Sequence, residues 1–240
     1  MVQQQVTGNS IKRSDTFDIN HIERYEGSIL LRRDGFSFYM SENGEFRSVQ
    51  DVSEFDFTVI PSEIKNLTIW SDTNRILAAP NVVEPHSEVF NSHHEYVPSR
   101  SIISIKKPFV TLLYDENILA IELLQQLPMP KSFHHLIDLI KDDEEKDNIA
   151  AVHFGETMFL KTFSQNQLQG LTSFKVKSQE DILYFVGTML EEKELDEKLV
   201  SVQVVSDLKC NEFLAEYFTN LKIQTTESSL LAHTTLLALS

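Results

Sequence analysis

The sequence predicts an α/β protein made of two similar halves, each with a mixed sheet covered by helices. Three observations support this fold class. The chain has 240 residues, 41% hydrophobic and 24% charged, which is globular composition at a length that buries a core without disulfides. Hairpin signals follow one another near the start. The second half repeats this opening and then alternates helix and strand patterns, which is typical of mixed sheets.

The first half begins with three antiparallel strands, after a flexible polar tail predicted for residues 1–15. Their signal is Ser28–Val49, in which Asp34–Gly35 and Asn43–Gly44 are favoured hairpin turns between strand-like runs. The other elements predicted in this half are a strand at Leu67–Trp70, a short helix at His86–Tyr96 and a hairpin of Phe109–Tyr114 with Ile118–Leu124. Together these elements predict a first domain over residues 16–130.

A connecting segment is predicted over residues 131–147. Ser132 is a favourable helix cap, and the residues after it are apolar at the spacing i, i+3, i+4 and i+7. These apolar residues are Phe133, Leu136, Ile137 and Ile140. The acidic run Asp142–Asp147 follows them. We therefore expect a helix that leads into a solvated linker, and a second domain over residues 148–240.

The second half has the predicted element order β-β-β-α-β-α-β. Its strands are predicted at Ile149–Phe154, Thr157–Phe163, Leu171–Val176, Leu199–Val205 and Leu221–Thr225. Ser178 and Asp181 resemble a capping box at the start of the first helix. The apolar residues of that helix share one face, and they are Ile182, Phe185, Val186, Met189 and Leu190. We expect this whole face, with Phe185, to be buried against the sheet.

This element order is that of the ribonuclease H-like fold, and two such units in tandem resemble the actin-like ATPase architecture. The chain also resembles an uncharacterised bacterial family, a domain of unknown function with that duplicated fold. The matching segments are the RRDGFSF hairpin near the start, Ser173–Asp196 and Ser201–Phe218. The resemblance implies tandem ribonuclease H-like domains. It also implies that a nucleotide, ATP with magnesium, would lie between them against one hairpin turn from each.

The two turns keep only part of what a phosphate loop needs. The candidate cofactor-binding residues are Asp34, Gly35 and Gly155. A phosphate loop also needs small residues, so that backbone N–H groups can reach the phosphates. Here Phe36 follows the first glycine, His153 lies near the second where an acid is expected, and Glu156 adds a charge that repels phosphate. We therefore predict no catalytic residue, and cofactor binding at these positions only if a nucleotide still binds.

Bulky residues beside both turns predict a narrowed region between the halves. Phe36 and Phe154 each lie next to a turn glycine. We expect at least one of them to point into this region, and no ordered nucleotide or metal there. His153 is expected to be a hydrogen-bonded structural residue and not a general base. The eight histidines show no metal-ligand spacing, so no metal site is predicted.

Charge and composition exclude several classes of function. The formal net charge of −15 repels a phosphate backbone, so nucleic acid is not expected as a partner. The dinucleotide, P-loop and α/β-hydrolase signatures do not occur in the sequence. A single cysteine and the lack of an apolar run of about 18 residues predict a cytoplasmic protein without a transmembrane segment.

These observations favour a non-catalytic protein with the actin-like fold that acts through contacts with an unidentified protein partner. Whether it is an enzyme stays open, although the incomplete phosphate loops argue against it. One alternative is a nucleotide-binding protein or slow ATPase that uses Asp34, Gly35 and Gly155. A second alternative is a cytoplasmic component of a membrane-associated assembly.

Overall fold

The computed structural model describes residues 3–6, 9–33, 35–81, 86–107, 110–140, 147–164, 167–196, 198–208 and 210–225, and its strands form three sheets. The strands of the first half are β1 (Gln3–Val6), β2 (Asn9–Arg13), β3 (Glu26–Arg32), β4 (Gly35–Glu42), β5 (Glu45–Val52), β6 (Leu67–Ser71), β7 (Ile76–Pro80), β8 (Arg100–Lys106), β9 (Val110–Asn117) and β10 (Lys131–His135). Those of the second half are β11 (Asn148–Phe154), β12 (Thr157–Ser164), β13 (Gln167–Lys175), β14 (Ser201–Ser206) and β15 (Leu221–Thr225). The helices are α1 (His86–His93), α2 (Ile118–Gln126), α3 (Gln179–Glu192) and α4 (Asn211–Ala215), with 3-10 turns at Ile19–Arg24, Phe57–Val59 and Leu136–Leu139.

The two large sheets contain the same strand order. The first sheet runs β1-β2-β5-β4-β3-β6-β10 and the second runs β13-β12-β11-β14-β15. In each, three hairpin-linked antiparallel strands are followed by two strands parallel to the first of the three. The five strands from β5 to β10 and the five of the second sheet both have the order 3-2-1-4-5. This order confirms the predicted α/β class with tandem ribonuclease H-like units.

A small antiparallel sheet lies in the connection between β6 and β10. Its order is β7-β9-β8, and α1 and α2 belong to the same connection. The helix predicted at His86–Tyr96 is therefore present as α1.

Residues 110–126 differ from the predicted hairpin. The strand β9 pairs with β7 and β8, and Ile118–Gln126 forms α2 instead of a returning strand. The Asn117 side chain accepts hydrogen bonds from the N–H groups of Leu119 and Ala120 at 2.9 and 3.3 Å, and so caps α2. Helix caps and turns favour the same residue types, so the residues before Ile118 were wrongly predicted to form a hairpin turn.

Residues 131–135 form a strand and not the start of the predicted connecting helix. The strand β10 pairs in parallel with β6, with Phe133 opposite Ile69. The apolar residues that suggested one helical face are divided instead: Phe133 packs on the first half, and Leu136–Leu139 turn into the core. Strand pairing therefore outweighs the local helical spacing. Residues 141–146 of the predicted acidic linker lie outside the described residues.

The first sheet extends beyond residues 16–130 at both ends. In place of the flexible tail predicted for residues 1–15, β1 and β2 form a hairpin, and β2 pairs with the edge of β5 from Ser10 to Arg13. At the other end, β10 completes the sheet.

A shared apolar core joins the two halves, and we call it the central cluster. It combines one face of each large sheet, the strands β7 and β9, and the turn after β10. Its buried members are Leu30, Tyr39, Val49, Trp70, Ile76, Leu112, Tyr114, Leu136, Ile137, Leu139, Ile140, Ala150, Val152, Phe159 and Val205. Because β3 and β11 also pack apolar residues on their opposite faces, each is buried on both sides. No helix among the described residues is long and apolar enough to cross a membrane.

Candidate functional site

A polar cleft of about 660 Å³ opens between the halves, beside the central cluster. Its walls come from the end of β3, the loop after β6, the start of β8, the end of β9 and the β11–β12 turn. The charged residues that line it are Arg32, Arg33, Asp72, Arg100, Glu116 and Glu156. The carboxyl ends of the parallel strands β3 and β6 meet here, which is where open α/β sheets place ligands.

The first turn reaches the cleft through Arg33, while Asp34 lies outside the described residues. Gly35 has φ of 156°, and a Cβ at this position would lie 2.1 Å from the carbonyl oxygen of Val52. Glycine is therefore required here by the close approach of β5. This packing requirement explains Gly35 without a bound phosphate.

The second turn uses its glycine differently. Gly155 has φ of 61°, in the left-handed region that glycine adopts most readily, and a Cβ here would meet nothing within 4 Å. Its N–H donates a hydrogen bond to Oδ2 of Asp207 at 2.9 Å. The backbone donor that a phosphate would need is therefore already paired with a carboxylate of the same chain.

His153 contacts the Asp207 carboxylate and is not among the residues that line the cleft. The imidazole is 1% exposed, and its Nδ1 lies 2.9 Å from Oδ1 of Asp207 and 3.1 Å from the Ser206 hydroxyl. Burial opposes ionisation of Asp207, yet the hydrogen bonds from His153 and Gly155 outweigh it and lower the pKa of the carboxyl below its usual value. His153 thus has the hydrogen-bonded position expected from the sequence.

Asp207 is a partner of His153 that was not predicted from the sequence. The signal was present in the strand order, because β14 lies parallel to β11 and pairs His153 with Ser206. Asp207 directly follows Ser206, so it lies at the same end of the sheet as the β11–β12 turn.

The two phenylalanines beside the turns point in different directions. Phe36 stacks on Phe57 at 4.6 Å in the core of the first half, and so does not enter the region between the halves. Phe154 packs against the central cluster. Apolar side chains fill the space between the two large sheets. The region at the two turns is not narrowed as predicted, because the polar cleft is open there.

Two carboxyl groups in the cleft, the buried Glu116 and the half-buried Asp72, were not singled out from the sequence. Glu116 ends β9 and is 7% exposed, and the Ser71 hydroxyl donates a hydrogen bond to it. Burial is the largest influence on both groups, and it raises the pKa of Glu116 to about 7 and that of Asp72 to about 6, although Arg100 acts in the opposite direction. The sequence predicted a turn around Glu116. Because carboxyl groups in turns are usually exposed, this residue was not recognised as buried.

The arginines beside these groups are engaged by another carboxylate. Asp115 accepts hydrogen bonds from Nε of Arg75 at 2.6 Å and from Nε of Arg100 at 2.8 Å. Arg32 lies 3.6 Å from Asp51. The cleft therefore combines paired arginines with carboxyl groups that ionise near neutral pH, a set suited to polar contacts of either sign.

No group of three or more metal-ligating side chains occurs among the residues that the structure describes. The described side chains that line the cleft are arginines, carboxyl groups, hydroxyl groups, amides and one valine, and most of them can make polar contacts with a ligand.

The fold is that of the actin-like ATPases. A Bacteroides thetaiotaomicron VPI-5482 protein with an actin-like ATPase fold and unknown function is similar at 16% identity and a TM-score of 0.70, over 93% of this chain and 99% of that one. Lower similarity is found to the PilM–PilN type IV pilus biogenesis complex (7% identity, TM-score 0.49, 88% of this chain and 96% of that one). The ethanolamine utilization protein EutJ from Carboxydothermus hydrogenoformans matches at 9% identity and a TM-score of 0.42, over 90% of each chain.

The chain belongs to the family described as protein of unknown function (DUF3822), which matches residues 52–221. This match spans both halves and confirms the resemblance to an uncharacterised family. No curated protein matches the chain significantly.

Proposed function

We propose that this protein is a non-catalytic member of the actin-like fold that works by binding another protein. The observation that carries the proposal is the contact between the Gly155 N–H and the Asp207 carboxylate. A phosphate at this turn would have to displace Asp207 and would face a second carboxylate at Glu156, which lines the cleft. Like charges at close range disfavour such binding, most of all in a partly buried site.

The surface supports binding of a protein more than binding of a nucleotide. Several large apolar or aromatic side chains are exposed, among them Tyr96, Tyr184 and Tyr217. Exposed tyrosines are enriched where proteins bind one another, because they bring a large contact area and a polar group together.

A nucleotide in the cleft is the second candidate function, and the arginines favour it. Arg32, Arg33 and Arg100 line a volume large enough for a small molecule. In this alternative, phosphates would contact the arginine side chains and not the Gly155 amide.

Calorimetric titration with ATP and magnesium distinguishes the two candidates. We expect no saturable heat with the wild-type chain. The Asp207→Asn variant, which removes the charge at the turn, tests whether the carboxylate is the obstacle; Arg33→Ala tests the arginine wall. A saturable signal with the wild-type chain that Arg33→Ala abolishes would favour the nucleotide and overturn the proposal.

Partner binding is tested separately on purified components. The chain is used as bait, and each captured protein is then expressed, purified and titrated against it by interferometry. We expect one saturable complex whose affinity is the same with and without 1 mM ATP, a concentration chosen to be on the order of cellular substrate levels. A complex that forms only with ATP would contradict the non-catalytic, nucleotide-independent function.

A further inference from the structure

The charged side chains that line the polar cleft do not balance one another. Arg100 already has a carboxylate partner in the buried Asp115. Arg32 lies 3.6 Å from Asp51, which leaves Arg33 as the one lining arginine without an acidic partner among the described residues. The three carboxyl groups of the lining, by contrast, form no ion pair with a described lysine, arginine or histidine, and they are Asp72, Glu116 and Glu156. The cleft therefore has an excess of uncompensated negative charge when these groups are ionised.

Glu116 is the carboxyl group for which the lack of a paired cation costs most. It is buried, and the Ser71 hydroxyl donates a hydrogen bond to its Oε1. A hydroxyl donor does not neutralise a carboxylate, and a buried carboxylate is unstable relative to its protonated form. Burial raises the pKa of Glu116 to about 7, and the nearby Asp72 carboxylate adds to this effect, although Arg100 opposes it. Glu116 therefore takes up a proton near neutral pH unless another cation takes the place of that proton.

The size and the lining of the cleft favour an organic cation over a metal ion. No group of three or more metal-ligating side chains occurs in the part of the chain that the structure describes. The volume of about 660 Å³ is in the range of small-molecule sites. Uncharged side chains of the lining supply oxygen atoms that accept hydrogen bonds, and they belong to Thr73, Asn74, Ser99, Asn117 and Thr157.

The positions of the two inner carboxyl groups favour an ammonium over a guanidinium. Asp72 lies in the loop after β6, whereas Glu116 lies near the end of β9, so the two groups belong to different sheets. A guanidinium prefers one carboxylate in a planar, bidentate pair. A primary ammonium is a compact charge with three N–H donors, and it can contact two separate carboxylates and a neutral oxygen at once.

We infer that the polar cleft binds a primary ammonium group against Glu116 and Asp72. The ammonium takes the place of the proton that Glu116 otherwise holds, so binding releases that proton to the solvent. The group belongs either to a free amine or to a lysine side chain, because both present the same chemistry. This inference goes beyond the proposed function, since it holds whether or not a protein partner covers the cleft.

Chemical-shift titrations of the isotopically labelled full chain by NMR test the site. n-Butylamine is the probe for a free amine, and a blocked tripeptide with a central lysine is the probe for a side chain. Each probe is titrated into the wild type, Glu116→Gln and Asp72→Asn. The matched control is Glu212→Gln, which removes one exposed charge at the start of α4, outside the cleft lining. Urea unfolding checks that each variant is folded.

At pH 8 we expect saturable shifts with a Kd on the order of 1 mM, since so small a ligand has few atoms to contribute. The Kd should rise at least tenfold in Glu116→Gln and in Asp72→Asn, and should change less than twofold in Glu212→Gln. Tighter binding of the tripeptide would identify a lysine side chain as the natural source, and tighter binding of n-butylamine a free amine.

The pH dependence separates ionisation of the carboxyl groups from a purely structural effect. Binding to the wild type should weaken at least tenfold between pH 8 and pH 5, because Glu116 and Asp72 take up protons while the amine keeps its own. The other ionisable groups that act on this pair are Arg32, Arg100 and Tyr114. Burial raises the pKa of Tyr114, and arginine stays charged, so none of them changes charge in this range. The loss of affinity should be smaller in Glu116→Gln.

Three results would overturn the inference. They are the absence of a saturable shift with either probe, an unchanged Kd in Glu116→Gln, and a wild-type affinity that does not depend on pH. Displacement of the amine by magnesium chloride at a lower concentration than that of the amine would assign the carboxyl groups to a divalent metal and also overturn it. The ATP and partner titrations contain no amine probe, so the proposed function fails or survives on them independently.

Discussion

Glu116 is the residue whose chemistry departs furthest from that of a surface carboxyl group. Its pKa is raised from 4.5 to about 7, mainly because it is buried at the cleft wall. The native protein therefore holds a proton on Glu116 that the unfolded chain releases. This contribution to stability is fully present below pH 4.5, decreases between pH 4.5 and 7, and is lost above pH 7.

We predict that Glu116→Gln stabilises the protein at pH 8 and has little effect at pH 5. The amide keeps an oxygen that accepts from Ser71 and removes the buried charge. A pKa difference of this size corresponds to about 3 kcal/mol, so a gain of about 1–3 kcal/mol at pH 8 is expected. Urea unfolding at the two pH values measures it, and an equal effect at both would contradict the assigned ionisation.

Asp72 provides a control at the same wall. Burial raises its pKa to about 6, a smaller change than that of Glu116. Asp72→Asn should therefore also stabilise the protein at pH 8. As the pH is lowered, this gain in stability should disappear at a lower pH than the gain from Glu116→Gln.

At the scale of elements, the β3–β4 hairpin depends on Gly35 for a steric reason. A Cβ at this position collides with the Val52 carbonyl, whereas one at Gly44, in the next turn, meets nothing within 4 Å. We predict that Gly35→Ala destabilises the protein by more than about 3 kcal/mol and Gly44→Ala by about 1 kcal/mol, since the second change only imposes a positive φ. Denaturant unfolding of both variants gives the comparison, and equal losses would mean that β5 can move aside.

Helix α3 gives a second test at this scale. Ile182 is fully buried against the sheet, whereas Phe185 is half-buried and stacks on Phe174. The sequence predicted that both share the buried face, and the structure corrects this for Phe185. We predict that Ile182→Ala costs about 3 kcal/mol and Phe185→Ala about 1–2 kcal/mol, because the second change removes mainly a ring contact. A larger loss for Phe185→Ala, measured by urea unfolding, would place that ring in the core.

Elements whose sequence signal lies in neighbouring residues could be predicted, whereas elements that depend on pairing with a distant strand could not. The Asn43–Gly44 turn and the Ser178 capping box depend on neighbouring residues, and both were predicted correctly. The strand β10 depends on pairing with β6, which is more than 60 residues earlier in the chain, so its apolar spacing suggested a helix. The candidate site was predicted least well: its turns were found, but its carboxyl groups become neighbours only after the sheets form.

For the whole molecule, the central cluster links the stability of the two halves. Trp70 belongs to this cluster and is the single tryptophan, so its fluorescence reports on the first sheet. Ile182 belongs to a separate cluster in the second half. If the halves unfold together, a change at Ile182 must also shift the signal of Trp70.

We therefore predict one cooperative transition in which Trp70 fluorescence and far-ultraviolet circular dichroism coincide. Ile182→Ala should lower the midpoint of both signals by the same amount. A fluorescence midpoint that stays at the wild-type value while the dichroism midpoint falls would show that the halves unfold independently.

The hydrogen bond from Gly155 to Asp207 has a consequence for how the molecule responds to its surroundings. In a site that waits for an anion, the turn becomes ordered only when that anion arrives, and its shape then reports the supply of the molecule. Here the anion is covalently part of the chain, so its effective concentration never varies. We therefore expect the shape of the β11–β12 turn to be independent of the concentration of a free small anion.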